Sequence, residues 1–395
     1  KIKSSELKWA WIKFIYARKN KNSISLNSTL KSSLFEILSI KNFKILNFYR
    51  FFQKKQKKNK TLVYCNAKHY KNIFVKFFKK INQNPNDFLF YSPFSIDWIR
   101  FGLNINKFYI SEYNWNGYER ELSSLEFVKL VDSIILNDLK KIQPDRIFLI
   151  EGDSYIHNLI NKNAKLLNIK TITIQNGYNI FIEPVLSWKN INSKIYISRG
   201  YMNTKYLKKY STSKFVTTGL LNYNENKSKK NKIYEVCFIL QRDKNNKFLN
   251  YILNFAKKFY QKKILIKLHP SSKFSISREI SNLDNVYILK KRNDLSFLNN
   301  VNFVVSEFSS VLLESLLYKC RPIAVYKYYK KTILKFLPKH NLGYCFEDFD
   351  ILKKNEKKIF YKTMEKIKNK KTTSSKHFFD SFKKQEGEKI KRLCK

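Results

Sequence analysis

Histidine is scarce in this chain, with five in 395 residues, and one of them ends an apolar run. The stretch 266-IKLHPSS-272 puts His269 and Pro270 just past a strand-like segment. Proline cannot continue a strand ladder and sets the exit of the loop. An imidazole there can donate a hydrogen bond to a phosphate oxygen; it also reads as a strand-end histidine satisfied by backbone. A second stretch, 305-VSEFSSVLLESLLYKCRPIAV-325, puts Ser309 and Ser310 at the expected start of a helix. Hydroxyls at that position cap backbone N–H groups, and the helix N-terminus offers partial positive charge to an anion. Glu314 follows in the second turn, where it suits a bond to a ribose hydroxyl or simply favours the helix start.

The third stretch, 147-IFLIEGDSYIHN-158, runs an apolar strand into Glu151, Gly152 and Asp153. Two acids at a strand end suit general-base work, and the glycine lets the backbone turn sharply or approach a ligand. Helix capping by Asp153 or Ser154 is the other reading. Three smaller signals share the same kind of position. Gln175, Asn176 and Gly177 form a tight, cleft-lining loop in 174-IQNGY-178. Gly219 lies in 216-VTTGLLNYN-224, and Gln241 and Arg242 follow the run 233-IYEVCFIL-240.

These residues need a scaffold that brings strand ends together. Short apolar runs at 61–65, 88–91, 107–111, 146–150, 170–174 and 214–218 alternate with stretches of helical spacing, among them 121–142. After the polar break 222–232 the rhythm restarts at 233–240, 263–268, 285–289, 301–305 and 321–326, with helices at 246–260 and 309–318. Strands alternating with helices predict an α/β chain of parallel sheets. The expected plan is a basic helical extension (1–60), a first Rossmann-like domain (61–221), a linker (222–232), a second such domain (233–347) and a helical tail (348–395). Two doubly wound domains make a cleft, and ligands bind beyond the carboxyl ends of the strands.

The formal net charge is +48, from 78 Lys+Arg against 30 Asp+Glu. Arginine, which reads bases and grips phosphates bidentately, is scarce within that excess, so specific nucleic-acid binding is not expected. Lysine, asparagine and isoleucine are abundant together, as in proteins from AT-rich genomes. A positive field that holds the chain to anionic lipid or attracts anionic substrates is the alternative. The segment 53-QKKQKKNK-60 reads as a solvated linker behind an N-terminal cap, or as part of a basic amphipathic surface for a membrane. No spacing among the five cysteines suits a metal or a disulfide framework, and Cys65 and Cys237 fall in apolar runs. No apolar run reaches the length of a spanning helix. A cytoplasmic protein, peripheral at most on the inner face of the membrane, is expected.

Taken together, the HP of 269–270, the SS-x-x-x-E of 309–314, the QNG of 175–177 and the TG of 218–219 resemble bacterial surface-polysaccharide glycosyltransferases of the GT-B fold. Within that group the HP and SS pair is similar to sialyltransferases, polysialyltransferases and Kdo transferases. The resemblance implies that His269, Pro270, Ser309, Ser310, Glu314, Gly219, Gln241 and Arg242 hold a nucleotide-sugar donor. The donor phosphate would lie on His269 and the two serines, with no metal and no further cofactor. It implies a carboxylate of the 151–153 turn as base; the sialyltransferases use an acid-acid-Gly order, whereas here the order is Glu151-Gly152-Asp153. The acceptor would be a glycan or glycolipid, and the donor a CMP-linked nonulosonate, such as sialic acid, or Kdo. The HP element also occurs in CDP-glycerol glycerophosphotransferases and UDP-sugar 2-epimerases. A non-catalytic basic protein that binds polyanions or membranes is the reading from another class.

Overall fold

The computed structural model describes residues 61–65, 68–81, 83–84, 88–93, 108–110, 123–152, 154–175, 190–200, 204–205, 207–218, 232–241, 245–269, 272, 274–289, 295–307, 309–325 and 343–346, with Leu7, Ala10 and Ile12 ahead of them. Each expected strand forms. The chain divides into two compact units, one carrying the strands up to Thr217 and the other those from Tyr234 onward.

The first unit runs β1 (Thr61–Tyr64), α1 (Lys68–Lys80), β2 (Phe88–Ser92), β3 (Phe108–Ile110), α2 (Ser124–Ile142), β4 (Arg146–Ile150), α3 (Tyr155–Leu166), β5 (Lys170–Ile174), β6 (Ile195–Ser198) and β7 (Lys214–Thr217). Its sheet has the order β3-β2-β1-β4-β5-β6-β7, with every pair parallel. The strands are apolar on both faces because both faces are covered. Leu62, Tyr64, Leu89, Tyr91, Ile147 and Leu149 pack against α2 and α3, together with Ala10 from the N-terminal segment. Val63, Phe90, Phe148 and Ile150 alternate onto the other face, where α1 supplies Phe74, Phe77 and Phe78. Phe78 lies 4.6 Å from Phe88 and 4.9 Å from Phe148, ring centre to ring centre.

Capping sets the helix starts. Ser123 and Glu126 form a reciprocal capping box at α2, which ends at Gln143 in the left-handed region before Pro144. Ser154 and His157 form the same device at α3, with histidine in place of the usual Glu or Gln. One polar pair ties the sheet to α2: the buried Tyr91 hydroxyl donates to Asp138 at 3.1 Å. Burial, then the neighbouring Asp138, holds that phenol well above its ordinary pKa.

The second unit runs β8 (Tyr234–Ile239), α4 (Asn246–Lys258), β9 (Ile264–Lys267), α5 (Arg278–Ser281), β10 (Val286–Leu289), a 3-10 turn (Ser296–Asn300), β11 (Val301–Ser306), α6 (Val311–Leu317), β12 (Arg321–Val325) and β13 (Tyr344–Phe346). Its order is β10-β9-β8-β11-β12-β13, again wholly parallel. Gly343 leads into β13 so close to β12 that a Cβ there would stand 2.3 Å from the Pro322 carbonyl oxygen.

Both sheets reverse their winding once, between β1 and β4 in the first and between β8 and β11 in the second. At such a switch point the crossover connections diverge and leave a crevice at the strands' carboxyl ends. Cys65, Cys237 and Cys320 are buried free thiols, as expected for the two in apolar runs. Two strands, β6 and β13, were not anticipated. The expected helix 309–318 is shorter, starting at Val311. Among the described residues no helix is long and apolar enough to cross a membrane. Residues 94–107 and 111–122, the tail 348–395 and nearly all of 1–60 and of the linker lie outside the described residues.

Candidate functional site

At the first switch point the chain leaves β4 through a tight, unusual turn. Glu151 has φ 63 and Gly152 φ 74, so two consecutive residues occupy the left-handed region. Gly152 N–H bonds back to the Ile150 carbonyl at 2.8 Å, closing a three-residue turn around Glu151. This positive-φ form of the γ-turn is rare and strained, and a glutamate held in it signals over-determination by its surroundings. Those surroundings are visible. Glu151 N–H bonds the Ile174 carbonyl at 3.0 Å, and the Tyr196 hydroxyl reaches the Glu151 carbonyl at 3.4 Å.

Gly152 is buried, and a Cβ there would sit 3.2 Å from both Ile191 and Thr173. The glycine therefore serves the turn and its packing. Asp153 lies outside the described residues. Immediately after it, Ser154 starts α3, and the His157 Nδ1 accepts from the Ser154 N–H at 3.1 Å and lies 2.8 Å from its Oγ. His157 is buried, and its bonds to Ser154 fix the start of α3 immediately behind the turn. Its ring meets Tyr64, at the end of β1, edge-on at 5.1 Å.

Gln175 departs from expectation. It does not line a surface: it is fully buried, its Oε1 accepts from the Arg199 N–H at 3.0 Å, and the Arg199 Nε–H donates to its carbonyl at 2.9 Å. Gln175 thus joins the ends of β5 and β6, a strand the sequence had not disclosed. Asn176, Gly177 and Gly219 lie outside the described residues.

At the second switch point β8 and β11 are pinned together where they end. The Gln241 amide donates to Ser306 Oγ at 3.2 Å, and Ser306 Oγ donates to the Ile239 carbonyl at 3.0 Å. One residue on, the buried Glu307 carboxylate accepts from the Asn245 side-chain amide. Asn245 is also the N-cap of α4, its Oδ1 accepting from the N–H groups of Lys247 and Phe248. Burial raises the Glu307 pKa above the usual carboxylate range, and the Asn245 bond opposes that rise.

His269 is half-buried just past β9, and its carbonyl accepts from the Ser272 N–H at 2.9 Å. The serine pair at α6 divides its work. Ser309 Oγ accepts from the Val311 N–H at 3.2 Å, whereas Ser310, in the N-cap position, makes no side-chain cap bond. The expected cap is therefore Ser309 alone, and the Ser310 hydroxyl is not engaged as a cap. Glu314 stands half-buried on α6. Pro270 and Arg242 lie outside the described residues.

Four residues at these edges escaped the sequence reading: His157, Asn245, Ser306 and Glu307. All lie within the quoted motifs or just beyond them. What distinguishes Asn245, Ser306 and Glu307 is a bond to another element, and His157 a ring contact with Tyr64 of β1, which no local pattern announces.

No protein-family model matches the chain, and no curated protein matches it in sequence. Solved structures do. A UDP-GlcNAc 2-epimerase of Methanocaldococcus jannaschii, in complex with UDP-GlcNAc and UDP, aligns with TM-score 0.52 at 14% identity over 85% of this chain and 99% of that one. The Neisseria meningitidis UDP-GlcNAc 2-epimerase bound to UDP-GlcNAc gives 0.53 at 12%, over 85% and 100%. MurG of Acinetobacter baumannii gives 0.54 at 12%, over 84% and 99%. The fold is of the GT-B type. At these identities the likeness establishes the fold, two Rossmann-like units in tandem, and no more.

Proposed function

We propose that the chain is a glycosyltransferase that takes a sugar from a nucleotide donor and passes it to a surface glycan or glycolipid. The observation that carries this reading is the strained turn at β4, which spends backbone energy to present Glu151 at the switch point of the first sheet. In this account a carboxylate of the 151–153 turn, Glu151 or Asp153, takes the proton of the acceptor hydroxyl. The second unit holds the nucleotide: His269 and the 309–310 turn donate to the phosphate as it departs, and Glu314 takes a ribose hydroxyl. The HP and SS elements favour a CMP-linked nonulosonate or Kdo as donor. Acceptors of this kind are membrane-borne, and the basic segment 53–60 suits peripheral contact with anionic lipid.

The geometry favours the base over a purely structural acid. A carboxylate needed only for packing or capping has no use for a left-handed, three-residue turn. The experiment is donor turnover with CMP-, CDP- and UDP-linked sugars, followed by NMR of the anomeric configuration of the product. Inversion supports direct attack by the activated hydroxyl; retention points to a carboxylate nucleophile in its place.

A second reading draws on the similar structures, since two of those described above are UDP-GlcNAc 2-epimerases. An epimerase converts UDP-GlcNAc to its 2-epimer and needs no acceptor. Appearance of the epimer, with no acceptor present, would decide for it over the transferase.

A further inference from the structure

The end of α4 and the turn into β9 read 257-KKFYQKK-263, two aromatic residues between two pairs of lysines. Phe259 turns inward, its ring 4.6 Å from that of Phe255. Tyr260 turns outward and is 70% exposed. One exposed tyrosine is ordinary, but this one has company. Among the described residues four large apolar side chains are exposed, and three of them share one edge of the second sheet: Tyr260, Ile233 at 53% and Tyr287 at 40%.

Every strand of a wholly parallel sheet starts at the same edge. The turns ahead of β8, β9, β10 and β12 therefore lie together, at the edge opposite His269 and Ser309. Bonds between these turns hold them side by side. The Asn285 amide donates to the Phe259 and Lys262 carbonyls at 3.2 and 3.3 Å, on either side of Tyr260. Glu235 N–H bonds the Lys263 carbonyl at 3.0 Å, and the ring of Tyr234, next to Ile233, meets that of Tyr287 at 5.4 Å. The Lys232 ammonium donates to the Tyr318 and Lys319 carbonyls at 3.2 and 2.9 Å.

The charge of this edge is positive. Lys258, Lys262, Lys263 and Lys319 are exposed. Of the acids described there, Glu279 pairs with Lys257 at 2.7 Å, Glu235 accepts from Asn302, and Asp284 is exposed. Clustered apolar tips among lysines fit a bilayer surface. Tyrosine and isoleucine enter the boundary between headgroups and acyl chains, while lysines reach anionic headgroups along their own aliphatic stems. A soluble polyanion would use the lysines and give Ile233 no partner.

We propose that the amino edge of the second sheet is a docking surface for an anionic lipid bilayer. Tyr260, Ile233 and Tyr287 enter the interface, and Lys258, Lys262 and Lys263 meet the headgroups. None of these residues lies in the basic segment 53–60, and the inference does not depend on the transferase reading. Peripheral binding sums weak contacts, so loss of either surface should free the chain.

The test is sedimentation of the full chain with vesicles of phosphatidylcholine alone and of equal parts phosphatidylcholine and phosphatidylglycerol. The proteins are the parent, Lys262→Gln with Lys263→Gln, and Ile233→Ser with Tyr260→Ser. All four positions are exposed, so both variants should melt with the parent. The parent should bind the mixed vesicles and not the neutral ones. Each lysine near an anionic surface contributes about fivefold in affinity, so the lysine pair should cost on the order of tenfold or more. The apolar pair should weaken binding several-fold and leave a remainder that salt removes more readily than it removes the parent's. Parent-like binding by both variants, or no binding by the parent, overturns the proposal. So does parent-like binding by the apolar pair alone, which marks a site for soluble polyanions. A smaller species of either variant in size-exclusion chromatography without lipid gives the edge to a second copy of the chain and overturns it as well. The readout needs no sugar donor, so failure of the transferase reading leaves it intact.

Discussion

Glu151 and Gly152 are the residues on which the most can be tested cheaply. Replacing Gly152 by alanine adds a Cβ 3.2 Å from Ile191 and Thr173 at φ 74. Strain of that kind costs on the order of 1–3 kcal/mol, so Gly152→Ala should show a lower midpoint in urea unfolding. Glu151→Gln keeps the shape and should fold like the parent while losing at least a hundredfold in transfer rate. A variant that transfers normally removes Glu151 as the base and passes the role to Asp153, which Asp153→Asn tests in the same assay.

Glu307 offers a pH test. Its folded pKa is raised by burial, so the folded state holds the proton more tightly than the unfolded chain does. Its contribution to stability is greatest below the unfolded value and declines as pH rises through the raised folded one. Glu307→Gln keeps the Asn245 contact and removes the ionisation. The decline across that window should then flatten in urea titrations at several pH values; an unchanged pH profile excludes Glu307 as its source.

At the scale of elements, most of the fold was legible because apolar runs and capping residues are local signals. The Ser123–Glu126 box and Pro144 bracket α2 in sequence as they do in space. Ser123→Ala should cost roughly 1 kcal/mol through loss of that cap. Phe78→Ala, which empties a space between Phe88 and Phe148, should cost about 3–5 kcal/mol in the same assay. The strands that went unread are β6 and β13, of four and three residues. β1 and β3 are as short and were expected, so what marks β6 and β13 is the neighbour each pairs with, β5 and β7 for the first and β12 for the second. The site divided in the same way. His269, Ser309 and the 151–152 turn stand at ends of strong apolar runs and could be picked out. Asn245, Ser306, Glu307 and His157 acquire meaning only through burial or a contact with another element. Gln175 was misread for the same reason: nothing local reveals its lock on Arg199.

At the scale of the whole molecule, two parallel sheets of the same doubly wound order place each singled-out residue among those described at a strand's carboxyl end or in the turn or helix that follows. The net charge of +48 adds a long-range field, which ionic strength screens over about 10 Å at 0.1 M salt. Neutralising the lysines of 53–60 should release the protein from anionic vesicles in a sedimentation assay while leaving donor turnover intact. Loss of turnover instead would assign that segment to the reaction. The most direct measurement of the central claim is nucleotide release from CMP-, CDP- and UDP-linked sugars by the parent and by His269→Ala. The account predicts release from one donor class by the parent and its loss in the variant. Equal release by the two proteins, or none from any donor, contradicts it.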